Sequence, residues 1–129
     1  MKVLLINGSP NANGCTYTAL SEAAGTLNGE GIDTEIFQIG KAPVQGCIDC
    51  RRCAAAGRCA FTNDQVSAAL DIAKGSDGFI FGSPVYYAAA SGQMTSLMNR
   101  LFFCNRNVFS HKPGASVVCC RRAGSTASG

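Results

Sequence analysis

The stretch that most limits how this chain can fold is Lys2–Leu20, KVLLINGSPNANGCTYTAL. Val3, Leu4, Leu5 and Ile6 form a short unbroken apolar run, the pattern of a parallel strand buried on both faces. The run stops at Asn7-Gly8-Ser9-Pro10, and a small polar loop continues through Asn13-Gly14. From about Thr16, the residues Ala19, Leu20, Ala23, Ala24 and Leu27 recur at three- and four-residue spacing, which predicts a helix. A strand, a glycine-bearing loop and a helix N-terminus together make an anion site. Backbone N–H groups point inward there, and the helix dipole favours negative charge. Ser9, Asn11 and Thr16 add side-chain donors. The alternative to a phosphate cradle is an ordinary strand-to-helix turn.

The kind of phosphate is narrowed by what is missing. No Lys follows Gly14, so the loop lacks the Walker A pattern of a nucleoside-triphosphate site. Gly8 and Gly14 stand too far apart for the dinucleotide fingerprint G-x-G-x-x-G. A terminal phosphomonoester needs only a loop of donors, which is what flavodoxin-type folds present to FMN.

A length of 129 residues fits a single domain, 1–129, with a substantial core. The net charge is formally +3, and apart from Arg51-Arg52 and Arg121-Arg122 the basic residues are scattered. That balance argues against nucleic acid or a membrane surface as partner. The N-terminus runs straight into a strand, and no apolar run approaches the roughly 18 residues of a membrane span. The reading is a soluble, cytoplasmic protein. Eight cysteines are many for a reducing compartment, so metal ligation or redox chemistry outranks a disulfide framework.

Further along, Asn28–Gly31 ends the first helix, and Thr34–Ile39 alternates like a second strand. Residues 40–63 carry no regular pattern. Loops longer than about 12–15 residues are uncommon in compact domains unless functional or disordered, and this one holds four cysteines. Asp64 is the expected N-cap of a helix through Lys74, with Val66, Leu70 and Ala73 facing inward. Phe79-Ile80-Phe81 predicts a third buried strand, followed by the loop Ser83–Ala90. Ser91 caps a long helix with Met94, Leu97, Met98, Leu101 and Phe102 on one face. After a turn at His111–Gly114, Ala115–Cys120 reads as a fourth strand and 121–129 as loop.

Strands alternating with helices predict an α/β fold, a doubly wound parallel sheet of flavodoxin-like order 2-1-3-4(-5). Ligands in such sheets bind at the switch point between the first and third strands. Those strands end here in the two most ligand-like loops, Gly8–Cys15 and Ser83–Ala90. The small-residue tail from Ala123 stops before any fifth strand, so the chain reads as truncated.

With these residues in view, the chain resembles the NAD(P)H-dependent FMN reductase family, and more narrowly its iron–sulfur flavoprotein branch. KVLLINGSPNANGCTYTAL resembles the family's strand-GSPRxxGNT-helix phosphate loop. DGFIFGSPVYYAAASGQMTSLMNR, from Asp77 to Arg100, resembles its second flavin loop and following helix. The resemblance implies FMN phosphate held by Ser9, Asn11, Gly14, Cys15 and Thr16. It sets Pro84, Val85, Tyr86 and Tyr87 against the isoalloxazine, with Arg121–Ser125, including Arg122 and Gly124, closing over the pyrimidine side. Three positions depart from the family pattern. Asn11 stands where Arg is frequent, Cys15 replaces the usual Asn, and Asn99 sits where Asp commonly precedes Arg100.

Cys47, Cys50, Cys53 and Cys59 form C-x2-C-x2-C-x5-C. Three cysteines at this spacing can wrap three corners of an iron–sulfur cubane, and the fourth can turn back past Gly57 to the last iron. Zinc, which more often uses two separated pairs, is the second choice. The remaining reading is of thiols that pack the loop or oxidise to a disulfide. In the resembling family this motif ligates a [4Fe–4S] cluster. Cys104 and the Cys119-Cys120 pair read as buried structural thiols. Cys15 lies at a helix N-terminus, where thiols become nucleophilic. The C-x5-R of cysteine phosphatases and arsenate reductases is nevertheless absent. His111 reads as a surface residue.

The resemblance implies an FMN-dependent oxidoreductase that takes electrons from NAD(P)H or a protein donor. Its acceptor would be small: a quinone, a free flavin or a redox protein. It also implies a homodimer or homotetramer with the flavin near a subunit interface. Two other classes remain, a flavodoxin-style electron carrier and a binding module that has lost the cofactor. No side chain is a compelling acid or base, so no catalytic residue is assigned.

Overall fold

The strand β1 (Lys2–Asn7) is buried along almost its whole length, as the unbroken apolar run requires. The structure, a computed structural model, describes residues 1–11, 13–61, 64–86 and 89–120. Successive β1 side chains enter two different cores, because a strand alternates faces. Val3 and Leu5 pack against Leu20 and Ala24 of α1 (Cys15–Gly29) on one side of the sheet. On the other side, Leu4 and Ile6 meet α3 (Val66–Lys74) and α4 (Gly92–Cys104). Leu70, Ala73, Met94, Leu97 and Leu101 fill that second core.

Neighbours of β1 pair in parallel, β2 (Asp33–Gln38) through Leu5↔Ile36 and β3 (Gly78–Tyr86) through Leu5↔Ile80. On the far side of β3 lies β5 (Gly114–Cys119), also parallel, with Phe81↔Ser116. The parallel order is therefore β2-β1-β3-β5, the expected flavodoxin-like 2-1-3-4, with β5 as the expected fourth strand. The sequence places the third strand at Phe79–Phe81, yet it runs on to Tyr86. Val85 and Tyr86 pair antiparallel with Ala90 and Ala89 of the two-residue β4 (Ala89–Ala90). A hairpin thus replaces part of the expected loop Ser83–Ala90.

Helix ends follow their local chemistry in most places. Ser91 caps α4, its Oγ accepting from the Met94 N–H at 3.1 Å. After α1, Gly31 takes φ +80°, and its N–H reaches the Asn28 carbonyl at 3.1 Å. Asp64 does not occupy the N-cap of α3; Gln65 does. One Asp64 oxygen still accepts from the Val66 N–H at 3.2 Å, while the other is drawn to Arg100. A buried guanidinium demands a counter-charge more strongly than a helix end demands a cap. The cysteine loop also holds one helical turn, α2 (Cys53–Ala56), closed by Gly57 in the left-handed region.

An aromatic chain docks the C-terminal end of α4 on the sheet. Phe79 contacts Phe109 at 4.8 Å, and Phe109 contacts Phe102 at 4.6 Å. The short 3-10 turn Arg106–Val108 brings Phe109 back to β3.

Gly8 and Gly82 have no room for a side chain. A Cβ on Gly8 would lie 2.7 Å from the Met94 Cβ, and one on Gly82 would lie 2.9 Å from Leu20. Gly25, on the exposed face of α1, meets nothing within 4 Å. Overpacking of this kind typically costs about 1–3 kcal/mol, so Gly8→Ala should lower unfolding stability by about 2 kcal/mol in urea titration. Gly25→Ala should raise it by about 0.5–1 kcal/mol, from helix propensity alone.

Candidate functional site

The loop after β1 is held from within by a residue that sequence reading passed over. Asn7 is fully buried. Its amide donates to the Gln38 Oε1 at 2.8 Å, and its Oδ1 accepts from the Ser9 N–H at 3.0 Å. Ser9, also buried, accepts in turn from the Asn11 N–H at 3.1 Å. These bonds turn the chain toward Gly14, which takes an extended conformation as the N-cap of α1 and has no side chain to cap it. Among the described residues, no hydrogen bond reaches the N–H groups of Cys15, Thr16 or Tyr17. A helix leaves these donors unsatisfied, with the positive end of its dipole behind them.

Of the five predicted cradle residues, Ser9 and Thr16 are buried, while Asn11 and Cys15 are exposed. The Thr16 side chain packs toward Gly82, so what it offers the cradle is its backbone N–H. An open recess beside the loop is lined by Pro10, Asn11, Asn13, Gly14, Gly40 and Lys41. Nothing in the local sequence pattern singles out the cation Lys41. It enters from the end of β2, which lies beside β1.

The second predicted loop is fastened to the first. The Gly8 N–H donates to the Gly82 carbonyl at 2.7 Å. Ser91 Oγ donates to the Gly8 carbonyl at 2.8 Å, and the Ser91 N–H donates to Ser83 Oγ at 2.9 Å. Ser91 therefore caps α4 and holds the first loop with its side chain, and holds the second with its backbone N–H. Pro84 and Val85 are half-buried, and Tyr86 is 48% exposed at the hairpin end. Tyr87, Arg122 and Gly124 lie outside the described residues.

The cysteine loop forms a separate, small recess of about 20 Å³, lined by Cys47, Cys50, Cys53 and Cys59. Cys104 of α4, buried in the core as expected, lines it too. Among the described residues, no three His, Cys, Asp or Glu side chains converge as a metal site. Cys47 and Cys50 are exposed, Cys59 is half-buried and Cys53 is buried. The expectation for Cys119-Cys120 is corrected, since Cys119 is half-buried and Cys120 exposed at the end of a strand open to solvent. Burial raises the Cys119 thiol above its ordinary value, helped by the neighbouring Cys15.

Arg100 binds the recess to the scaffold. It is 2% exposed and sits on the same face of α4 as Leu97, Leu101 and Cys104. A charged residue on an apolar stripe was the signal available in the sequence. Nη1 donates to the Gln45 carbonyl at 3.1 Å and ion-pairs with Asp64, and Nη2 donates to the Phe61 carbonyl at 2.8 Å and to Cys59 Sγ at 3.3 Å. Burial works against its charge, yet Asp64 and Cys59 outweigh it and hold the guanidinium above its ordinary value. Its Nε–H is buried with no partner among the described residues. Several thiols around a buried cation with an unused donor fit a sulfur-rich anionic group.

The thiols differ electrostatically. The Arg52 backbone N–H, followed by its guanidinium, draws Cys50 below the usual thiol range. Burial, together with Cys59 and Cys53, pushes Cys104 up. Only thiolates alkylate readily. In brief iodoacetamide treatment near neutral pH, peptide mapping should therefore find Cys50 modified well before Cys104. Equal labelling would show that the two environments do not differ.

A family model described as NADPH-dependent FMN reductase matches residues 1–128. An iron–sulfur flavoprotein of Methanocaldococcus jannaschii is 39% identical over 100 residues, covering 78% of this chain and 51% of that protein. One from Clostridioides difficile is 32% identical over 120 residues, covering 92% and 53%. This chain thus spans about half the length of these curated relatives. Among solved structures, an NADH:FMN oxidoreductase in apo form superposes with a TM-score of 0.72 at 17% identity, covering 98% of this chain and 62% of that one. An archaeal flavodoxin superposes with a TM-score of 0.60 at 17% identity, covering 96% and 66%. At such identities these two likenesses speak to the fold alone. The sequence matches go further: the chain belongs to the NADPH-dependent FMN reductase family.

Proposed function

We propose that this chain is an FMN-dependent oxidoreductase that takes electrons from NAD(P)H or a protein donor and passes them to a small acceptor such as a quinone, a flavin or a redox protein. The observation that carries the reading is the uncapped N-terminus of α1 beside a second loop, both at the ends of adjacent parallel strands and joined through Ser91. FMN, when bound, supplies hydride and electron chemistry, and a [4Fe–4S] cluster supplies single-electron transfer.

The protein's own residues bind and orient. The N–H groups of Cys15, Thr16 and Tyr17 meet the phosphate with the helix dipole behind them, an interaction worth about 0.3–1 kcal/mol at an exposed site. Ser9 holds the Asn11 backbone in place, and its hydroxyl proton remains a donor. Lys41 supplies the positive charge that Asn11, in place of the family's frequent Arg, does not. Pro84, Val85 and Tyr86 form the platform for the ring, with Tyr86 stiffened by the β3–β4 hairpin. The resemblance adds Tyr87, Arg122 and Gly124. In the cysteine recess, Cys47, Cys50, Cys53 and Cys59 are the ligands. Exposed Ile48 and Phe103, 60% and 53% accessible, support a homodimer or homotetramer joined at this face. No helix of the described residues is long and apolar enough to cross a membrane.

Anaerobic purification followed by an absorption spectrum tests the reading. Two flavin bands with a broad visible shoulder support FMN plus cluster, and flavin bands alone support a reductase without one. A colourless protein that stays colourless with added FMN would leave only the cofactor-free binding module. Stopped-flow mixing with NAD(P)H separates a reductase, whose flavin bleaches, from an electron carrier, whose flavin does not. In fluorescence titration, Lys41→Ala should weaken FMN binding about fivefold at low salt, roughly 1 kcal/mol for an exposed ion pair. The difference should shrink at about 0.5 M salt, where screening is strong.

A further inference from the structure

Among the described residues, Arg100 makes four hydrogen bonds, and all four go to residues from Gln45 to Asp64. One side chain on a rigid helix therefore holds the cysteine loop at its entry, beyond its last cysteine and at its exit. Asn105, one turn further on, adds a bond from its amide to the Gly57 carbonyl at 3.0 Å. Burying an ion pair such as Arg100–Asp64 carries a large desolvation cost, and apolar replacements are often equally stable. A purely structural role leaves two features unexplained. One of the four bonds ends on a thiol sulfur, Cys59 Sγ at 3.3 Å. The fifth donor, Nε–H, is buried without an acceptor among the described residues, a costly state for a charged group.

We propose that Arg100 is the positioning residue of the cysteine centre: it clamps the loop that carries the four thiols and lends a cationic N–H donor to the thiolate sulfur of Cys59. The inference rests on the cluster reading above. A four-thiolate iron–sulfur centre carries net negative charge, and each reduction adds one electron with no proton. Positive charge and N–H···S bonds stabilise the added electron and raise the reduction potential. Asp64, paired with Arg100, tempers that effect. Removing the cation and removing its counter-ion must therefore shift the potential in opposite directions. Loss of packing alone would move both the same way, by opening the recess to water.

The test uses the whole chain, reconstituted anaerobically with ferrous iron and sulfide. Iron per chain is measured, and the potential is read by equilibration with indicator dyes reduced by dithionite. Arg100→Gln should make the centre about tenfold harder to reduce, a shift of about 59 mV for one electron. Asp64→Asn should make it at least about threefold easier to reduce. Arg100→Lys, which keeps the charge and loses the fork, should fall between wild type and Arg100→Gln. If Arg100→Gln does not fold, the direction of the Asp64→Asn shift decides. Variants that load iron like wild type and keep its potential, or that shift in the same direction, overturn the proposal and leave the cluster reading intact. A wild-type chain that binds no iron overturns the cluster reading and the role of Arg100 with it.

Discussion

Everything at the candidate flavin site depends on how closely the ends of β1 and β3 approach. The Gly8 N–H reaches the Gly82 carbonyl at 2.7 Å, and neither glycine has space for a Cβ. Met94 fills the space over Gly8, while Leu20 and Thr16 fill the space over Gly82. Two helices on opposite faces of the sheet can therefore press against the same pair of strand ends. The glycines look like phosphate-loop glycines in the sequence, yet at these two positions what they permit is helix packing. Close packing then sets the direction in which the α1 N-terminus points. With interiors packed as densely as organic crystals, a methyl group at either position displaces a helix.

Ser91 converts that packing into a site. Its hydroxyl donates to Gly8, accepts from Met94 and so caps α4, while its backbone N–H is held by Ser83. The backbones of the two candidate loops are thus cross-linked through one buried residue. Anion binding at a helix terminus is a weak interaction per bond. It gains from being preorganised, because donors that are already aimed need no reordering when a ligand arrives. The internal staple of Asn7 serves the same purpose one residue earlier.

The cysteine recess follows a different physical logic. Its loop has little regular structure beyond the single turn of α2, so backbone pairing does not hold it. A buried guanidinium does, by collecting carbonyls, a carboxylate and a sulfur from distant points of the loop. This arrangement explains why Asp64 gave up the N-cap position that its place before an apolar helix predicted. It also explains the presence of Cys104: the face of α4 that carries Arg100 into the loop brings that thiol with it.

What the amino-acid pattern determined alone was whatever is encoded by spacing along a single element. The apolar run of β1, the three- and four-residue periodicity of α1 and α4, the Ser91 cap and the alternation of strand and helix each express a local preference, and together they define the sheet order. The two candidate loops were legible for the same reason, since they lie where that order changes direction. Only the tertiary structure decided how far β3 extends, because pairing of Val85 and Tyr86 with Ala89 and Ala90 depends on a partner strand. It alone placed Lys41 beside the first loop, Cys104 in the recess and Arg100 among the residues of the cysteine loop. Those assignments rest on contacts between segments far apart in the chain. They are selected by burial and charge pairing, which have no period along the sequence and become visible only once the elements are packed.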